Sequence, residues 1–395
     1  MKYFPAKKEK VTMNWFLTEE QQMIVDTAKE IAQKKILPVR EKYDHEGIFP
    51  WDVVKALSEV DLCGLYIPQE YGGFGGGVFE LCLAVEELSK VDGGISLAMA
   101  ATALGTFPIL LFASDEQKKK YLPGIAAGTT IAAFGLTEAN AGSDALGMKT
   151  TAVLDGNEWV LNGTKQWITN GENAQVYTVF AKTNPAKGAR GLSCFIVEKG
   201  TPGFTFGKHE DKMGIRASST TELVFQDCRI PKDAILSKEG MGSIVAINTL
   251  NYSRPGVGSQ ALGIAAGALE DAVKYSRQRV QFGAPISSFQ AVQHMLADMA
   301  TEVEAARALL YATARTIDAG EKKFAKESAM SKLFCSDVAM KVTVDALQVM
   351  GGYGYMREYP MEKRMRDAKI TQIYEGTNQI QRNEIALQLI KGAAA

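Results

Sequence analysis

Hydrophobic periodicity changes twice along this chain, and that order of patterns restricts the fold more than any single residue does. From about residue 16 to 133 apolar residues recur at helical spacing. Two helix starts are marked there, "TEEQ" at Thr18–Gln21 and "SDEQ" at Ser114–Gln117. Each is an S/T-x-x-E/Q capping box, whose side chains satisfy the orphan amides of a first turn. After the first, Met23, Ile24, Ala28 and Ile31 recur at helical spacing. "YIPQEYGGFGGGVFE" (66–80) breaks the zone as a glycine loop, and no strand precedes it as a dinucleotide-binding glycine motif would need.

Between about 134 and 243 the period becomes that of strands. "TTAVLDGNEWVLNG" (150–163) sets the turn pair Asp155-Gly156 between two strand-like runs, and further short β-rich pieces follow, bounded by Gly and Pro. A small β-barrel or sandwich is expected. From about 244 onward helical patterns return. In Ala325–Met350 the residues Ala329, Leu333, Met340, Val344 and Leu347 are expected along one face, with Gly351-Gly352 stopping the helix. Pro255 should kink its helix or start a new segment. The expected class is α+β and mostly helical, with domains at 16–133, 134–243 and 244–395 behind a leader, 1–15.

A chain of 395 residues accommodates two or three such units around a large core. With 46% hydrophobic and 23% charged residues and a net charge of −1, it reads as globular and offers no electrostatic basis for nucleic acid or an anionic membrane as partner. Five scattered cysteines with no C-x-x-C pair, and three histidines, argue against a metal site; they fit reduced thiols in a cytoplasmic protein. The basic leader lacks the apolar core of a secretory signal, and Met13 offers an alternative start. No stretch approaches 18 uninterrupted apolar residues, which argues against a membrane span.

Several short segments carry chemistry. "FGLTEANAGSD" (134–144) sets amides and short polar side chains between glycines, fit for a polar ligand or for an ordinary capped surface loop. In "KQWITNG" (165–171), Trp167 offers a flat wall, with Thr169 two residues away on the same strand face. That suits a planar heteroaromatic cofactor, although a buried core tryptophan is the commoner reason for a Trp. "NYSRPG" holds Arg254 in an apolar helical segment, where a buried charge needs an anionic partner. "RQRVQFG" (277–283) reads as a helix end with dipole-complementary cations or as a phosphate clamp. "QVMGGYGY" (348–355) reads as a glycine cap or as amides for phosphate oxygens. "QIYEGTNQIQR" (372–382) contains one carboxylate, Glu375, either a helix-end charge or a base.

In this order and spacing these motifs resemble the acyl-CoA dehydrogenase family of flavoproteins, from roughly Leu17 to Ile390. The resemblance implies an N-terminal helical domain, a middle β-barrel domain and a C-terminal four-helix bundle. It also implies a homotetramer with one FAD per subunit, acting in fatty acid β-oxidation and passing electrons to electron-transfer flavoprotein. By resemblance, Phe134, Leu136, Thr137, Trp167, Ile168 and Thr169 contact the flavin, and Ser143 serves cofactor and CoA. Arg279, Phe282, Gln290 and the segment Gln348–Gly352, with Gly351 and Gly352, would reach FAD from a neighbouring subunit. Thr377 and Gln379 would also contact it. Asn251, Tyr252, Ser253 and Arg254 resemble the substrate segment, where many relatives carry Asp in place of Asn251. Gly376 would leave room for the thioester.

Glu375 would remove the α-proton of the acyl thioester while the β-hydrogen leaves to flavin N5. Some branches place the base on another helix, but no Glu or Asp occurs between Glu239 and Glu270. Residues 78–105 contain no arginine for a second substrate carboxylate, and Asp92 there reads as a helix-end charge. A short straight acyl chain is therefore expected, with cyclic or branched acyl-CoA as the alternative. An oxidase would be expected to be longer; a non-catalytic CoA-binding scaffold need not keep Glu375, Arg279 and Thr169 together.

Overall fold

The computed structural model of the protein describes residues 15–393. The expected leader, 1–15, lies outside them except for Trp15, which packs edge-on against Tyr311. Six helices come first: α1 (Glu19–Ile31), α2 (Arg40–Glu46), α3 (Trp51–Ser58), α4 (Val78–Val91), α5 (Gly93–Phe112) and α6 (Asp115–Ala126). Both expected capping boxes form, Thr18 with Gln21 and Ser114 with Gln117. On α1, Ile24, Ala28 and Ile31 are buried while Met23 is turned to solvent. α4 is capped both locally, with Glu80 accepting from the Gly77 amide (2.8 Å), and across the molecule, where the Asp318 carboxylate accepts from the amides of Val78 (2.8 Å) and Phe79 (2.7 Å). α5 is long and apolar enough to cross a membrane by length and composition; here it is mostly buried, against α4 and the strand that follows α6.

Eight strands follow: β1 (Ala132–Gly135), β2 (Thr151–Asp155), β3 (Glu158–Thr169), β4 (Val176–Lys182), β5 (Leu192–Glu198), β6 (Phe204–His209), β7 (Thr220–Pro231) and β8 (Ile235–Leu236). They form one sheet in the order β6-β7-β3-β2-β4-β5-β8, with β1 added parallel to β4. Its terminal strands, β6 and β8, do not pair with each other among the described residues. The turn at Asp155-Gly156 joins β2 to β3 as expected, with Gly156 at φ 62°. β4 and β5 read as continuous apolar runs because both faces are covered. Tyr177 and Phe195 point into the sheet's own core, whereas Phe180 and Ile196 pack in the helical core.

The C-terminal part comprises α7 (Gly242–Gln278), a two-strand hairpin β9 (Val280–Gln281) and β10 (Ala284–Pro285), and then α8 (Gln290–Asp318), α9 (Ala325–Met350), α10 (Met361–Thr371) and α11 (Asn378–Ala393). Pro255 does not start a new segment: α7 runs through it. A proline leaves the carbonyl four residues back without its helical donor. Here that carbonyl, Asn251 O, accepts the Ser328 hydroxyl at 2.6 Å. α9 ends at Gly351 as expected, but its buried face is not the predicted one. Val344 is exposed and Leu333, Met340 and Leu347 are half-buried, while Ser328, Lys332, Cys335, Ser336 and Thr343 are buried. Small hydroxyl residues that bond carbonyls of their own helix or of α7 let α9 sit at the centre of the bundle; Thr343 bonds Ala339 O, one turn back on α9, at 2.7 Å.

Candidate active site

Glu375 lies in the short turn between α10 and α11, at φ 51°, followed by Gly376 at φ 89°. Left-handed backbone costs a residue with a Cβ about 1–3 kcal/mol and persists where its surroundings impose it. Here they do. Gln381 Nε2 donates to the carbonyls of Glu375 (3.1 Å) and Gly376 (2.8 Å). Lys332 Nζ, from α9, donates to the Gly376 carbonyl and to Asn378 Oδ1, both at 2.9 Å. A Cβ on Gly376 would come within 2.8 Å of the Gln381 amide. The glycine is thus required by the turn itself, a different reason from the thioester clearance expected.

The Glu375 carboxylate accepts a hydrogen bond from Ser253 Oγ at 2.5 Å. Burial pushes its pKa above the usual carboxylate value, and the Ser253 hydroxyl, Lys332 and Arg254 oppose that push. The Glu375 N–H donates to no acceptor among the described residues and so remains available. Arg254 is buried, as its apolar helix implied, but the anionic partner expected for it is missing. Its Nη1 donates to Asn251 Oδ1 at 2.9 Å, no carboxylate lies within ion-pair distance among the described residues, and its Nε has no partner. A desolvated guanidinium with an unused donor is a place for an anionic ligand. Tyr252, by contrast, is spent on packing against Phe107 and Phe324.

Further along α7, Gln260 lies against Tyr374 and the start of α5. Gln260 is fully buried, donates to Gly93 O at 2.7 Å and accepts from the Tyr374 hydroxyl. Asp92 is the N-cap of α5, as expected of a helix-end charge: it accepts from Gly94 (2.8 Å) and Ile95 (2.9 Å) and pairs with Lys363 at 2.9 Å.

A second group stands at the edge of the sheet. The Gln166 amide donates to Thr137 O at 2.9 Å, which brings Leu136–Thr137 beside Trp167. Trp167 is no core tryptophan: it is 56% exposed, while Trp159 fills the core. Nor do Trp167 and Thr169 share a face by simple alternation. A bulge falls between Lys165 and Ile168, and Trp167 takes φ 58°. The bulge turns the indole outward, as such bulges do next to sites. Ile168 is buried in the sheet core and Phe134 packs on Phe180 at 5.1 Å, so neither side chain is turned outward as Trp167 is. Ser143 is exposed.

The loop carrying Thr137 is pinned by a pair the sequence reading passed over. Glu138 accepts from Lys149 N (2.6 Å), Thr150 N (3.0 Å), Thr150 Oγ1 (2.6 Å) and the buried Lys165 Nζ (2.8 Å). Although burial opposes it, the Lys165 charge and these donors hold the Glu138 pKa at about 2, while burial brings Lys165 down to about 8 despite Glu138.

A third group lies at the far end of α7. Arg279 stands over the Tyr353 ring at 5.2 Å and shares an open groove with Tyr275, Gly351 and Gly352. Phe282, at φ 51° on the hairpin tip, is 96% exposed, and Gln290, which opens α8, is exposed too. Gln348 and Gln379 are exposed, and Thr377 Oγ1 accepts from Ile380 N at 3.3 Å at the start of α11. Lys332, Gln381 and Gln260 were missed. A signal existed for Lys332, which falls on the same helical face as Ser328, Cys335 and Ser336 rather than on an exposed one.

Comparison with known proteins identifies the family and the fold. The family models for the acyl-CoA dehydrogenase N-terminal, middle and C-terminal domains match residues 18–129, 133–228 and 240–390. The chain is 48% identical over 388 residues to the acryloyl-CoA reductase (NADH) of Anaerotignum propionicum, covering 98% of both. It superposes on butyryl-CoA dehydrogenase from Megasphaera elsdenii with a TM-score of 0.93 at 47% identity, covering 96% of this chain and 100% of that one. A chain solved in work on the electron transferring flavoprotein of Acidaminococcus fermentans and flavin-based electron bifurcation gives 0.94 at 52% identity, with 96% and 100% covered. An acyl-CoA dehydrogenase complexed with FAD from Bacillus anthracis gives 0.89 at 36% identity, with 96% and 68% covered. The chain belongs to the acyl-CoA dehydrogenase family, oxidoreductases that act on acyl-CoA thioesters.

Proposed function

We propose that this chain introduces a double bond between the α and β carbons of a short acyl-CoA, with Glu375 taking the α-proton and FAD as cofactor. The observation that carries the reading is a half-buried carboxylate on imposed left-handed backbone, bonded to Ser253, with its own N–H free. A carboxylate whose pKa is raised is a stronger base, and a free amide beside it can stabilise charge that develops on a thioester oxygen. Arg254, with its unused Nε, is available to an anionic part of the substrate.

The residues present fit a flavin. Trp167 gives an exposed wall beside Thr137, and Arg279 faces a glycine edge where a Cβ on Gly351 would meet nothing within 4 Å. When bound, FAD supplies the acceptor for the β-hydride. Arg279 follows Ser253 by 26 residues along α7 (279 minus 253), or about 39 Å at 1.5 Å per residue. That is farther than one dinucleotide spans, which supports the reading that this groove serves the site of a neighbouring subunit in a homotetramer. Arg279→Ala is expected to weaken FAD retention roughly 10- to 100-fold, from loss of a charge-assisted bond of about 1.5–3 kcal/mol. The check is flavin per chain after gel filtration, with equal content counting against the role.

Gln260 supports a short acyl group. A longer chain entering between α5 and α7 beside Tyr374 would have to break both of its hydrogen bonds. Anaerobic flavin bleaching with butyryl-, isobutyryl-, cyclohexanecarboxyl- and glutaryl-CoA tests the reading: butyryl-CoA should be fastest. Protein that stays colourless when given FAD, or bleaches with none of the four, would point to a CoA-binding scaffold instead. Gln260→Ala should raise kcat/KM for octanoyl-CoA relative to butyryl-CoA by about 10-fold or more. Electron-transfer flavoprotein is the proposed electron acceptor, supported by the relative solved in work on such a protein. The likeness to an acryloyl-CoA reductase favours a second direction at the same atoms, in which Glu375 would return the proton to the α-carbon of a 2-enoyl thioester and the β-hydride would come from bound, reduced FAD.

A further inference from the structure

A lysine with no exposed surface lies beneath the base turn. Lys332 sits on the buried face of α9, and its ammonium donates to two uncharged oxygens, Gly376 O and Asn378 Oδ1. Burying a lysine without a carboxylate partner is costly, so its retention calls for a reason. The surroundings are built to receive it. Asn378 turns its amide nitrogen to Ser336 Oγ (2.9 Å) and Asp337 Oδ1 (2.8 Å), leaving its oxygen toward Lys332. Asp337 is further held by Gln372 (2.6 Å) and Arg382 (3.0 Å). The result is a polar layer joining α9, the end of α10 and the start of α11 around the Glu375–Gly376 turn.

We propose that Lys332 is a positioning residue for the base: with Gln381 it grips the carbonyls of the Glu375–Gly376 pair, holds that pair in its left-handed conformation, and sets its charge one residue from the base. This rests on the reading of Glu375 as the base. The charged groups that act on the cluster are Glu375 from the turn, Arg254 from α7, Asp337 from α9, and Glu384 from α11 acting on Arg254. Burial lowers the Lys332 pKa to about 7, with Glu375 and Asp337 opposing and Arg254 adding to it. Below that pH the ammonium is charged and favours ionised Glu375. Removing it should therefore move protonation of Glu375 to higher pH.

The test uses the full-length chain loaded with FAD and butyryl-CoA as probe. Lys332→Met should lower kcat for flavin bleaching about 100-fold with a smaller change in KM, and shift the acid limb of kcat/KM upward by roughly one pH unit. Independently of turnover, pH-difference infrared spectroscopy referenced to Glu375→Gln should show the Glu375 carboxylate titrating higher by the same amount. Lys332→Arg, which keeps charge and donors, should restore the wild-type limb. A folded, yellow Lys332→Met with an unmoved limb, an unmoved carboxylate band and kcat within threefold of wild type overturns the proposal. Should Lys332→Met not fold, Lys332→Gln is judged by the same readouts, and failure of both to fold assigns the residue to structure alone. Glu375→Gln run in parallel separates the two readings. Full activity in that variant removes Glu375 as base, whereas an inactive Glu375→Gln beside an unaffected Lys332→Met removes only the role of Lys332.

Discussion

Glu375→Gln is expected to leave the protein yellow and able to bind butyryl-CoA, yet to slow anaerobic flavin bleaching roughly 10³- to 10⁴-fold. Glutamine keeps the side chain's shape and can still accept the Ser253 hydrogen bond made at 2.5 Å. It cannot take a proton. The Lys332 and Gln381 contacts go to backbone carbonyls, so the turn should persist and the loss should fall on the chemistry alone. Stopped-flow bleaching checks the rate, and an unchanged rate would remove Glu375 from the mechanism.

The wild-type pH profile follows from the same site. Because burial raises the Glu375 pKa, the acid limb of kcat/KM should lie above the ordinary carboxylate range. The sign for stability is the reverse of the usual carboxylate case. With the folded pKa above the unfolded one, the site favours the protonated form, and stability is lost as pH rises through the folded value. Glu375→Gln removes that cost and should melt at a higher temperature than wild type at neutral pH, a trade of stability against activity.

Glu138→Gln is expected to cost about 3–5 kcal/mol, because it leaves the buried Lys165 without its carboxylate. The lower end of that range is favoured, since a lysine already brought to about 8 can shed its proton instead. Its depressed folded pKa gives the pH dependence: the unfolded chain binds more protons, so the variant should gain stability as pH rises toward 9. Thermal melts at pH 6 and pH 9 check this. Adding Lys165→Met should recover much of the loss, as removal of both partners does for buried pairs. Flavin content should fall in the single variant, because the pair holds the loop that carries Leu136 and Thr137 beside Trp167. A melt unchanged from wild type would show that the backbone contacts of Glu138, not the ion pair, secure this loop.

The local features of the fold were legible because they depend on near neighbours. Capping boxes at Thr18 and Ser114, the turn at Asp155-Gly156 and the stop at Gly351 each involve a few consecutive residues, and all four formed. The stripe predicted on α9 failed for an equally physical reason. Apolar spacing identifies a buried face only when polar residues are exposed, and α9 buries Ser328, Ser336 and Thr343 by bonding their hydroxyls to carbonyls. Strict alternation on β3 failed at the bulge before Ile168, which a periodic pattern cannot register. Arg254 was rightly placed inside; the anionic partner it needs could not be named from the sequence, and in the fold its Nε has no partner.

The sequence by itself determined the order of helical and strand zones, the motifs that mark the family, and Glu375 as the carboxylate to watch, since each is written in neighbouring residues. The tertiary structure alone decided what surrounds that carboxylate. Ser253 is 122 residues away in the chain, Gln260 lies 114 residues from Tyr374, and Lys332 is 44 from Gly376. Contacts across such separations depend on how α7, α9 and the α10–α11 turn pack together. Local propensity cannot specify that packing, because each of these helices would be as helical with its polar residues turned elsewhere.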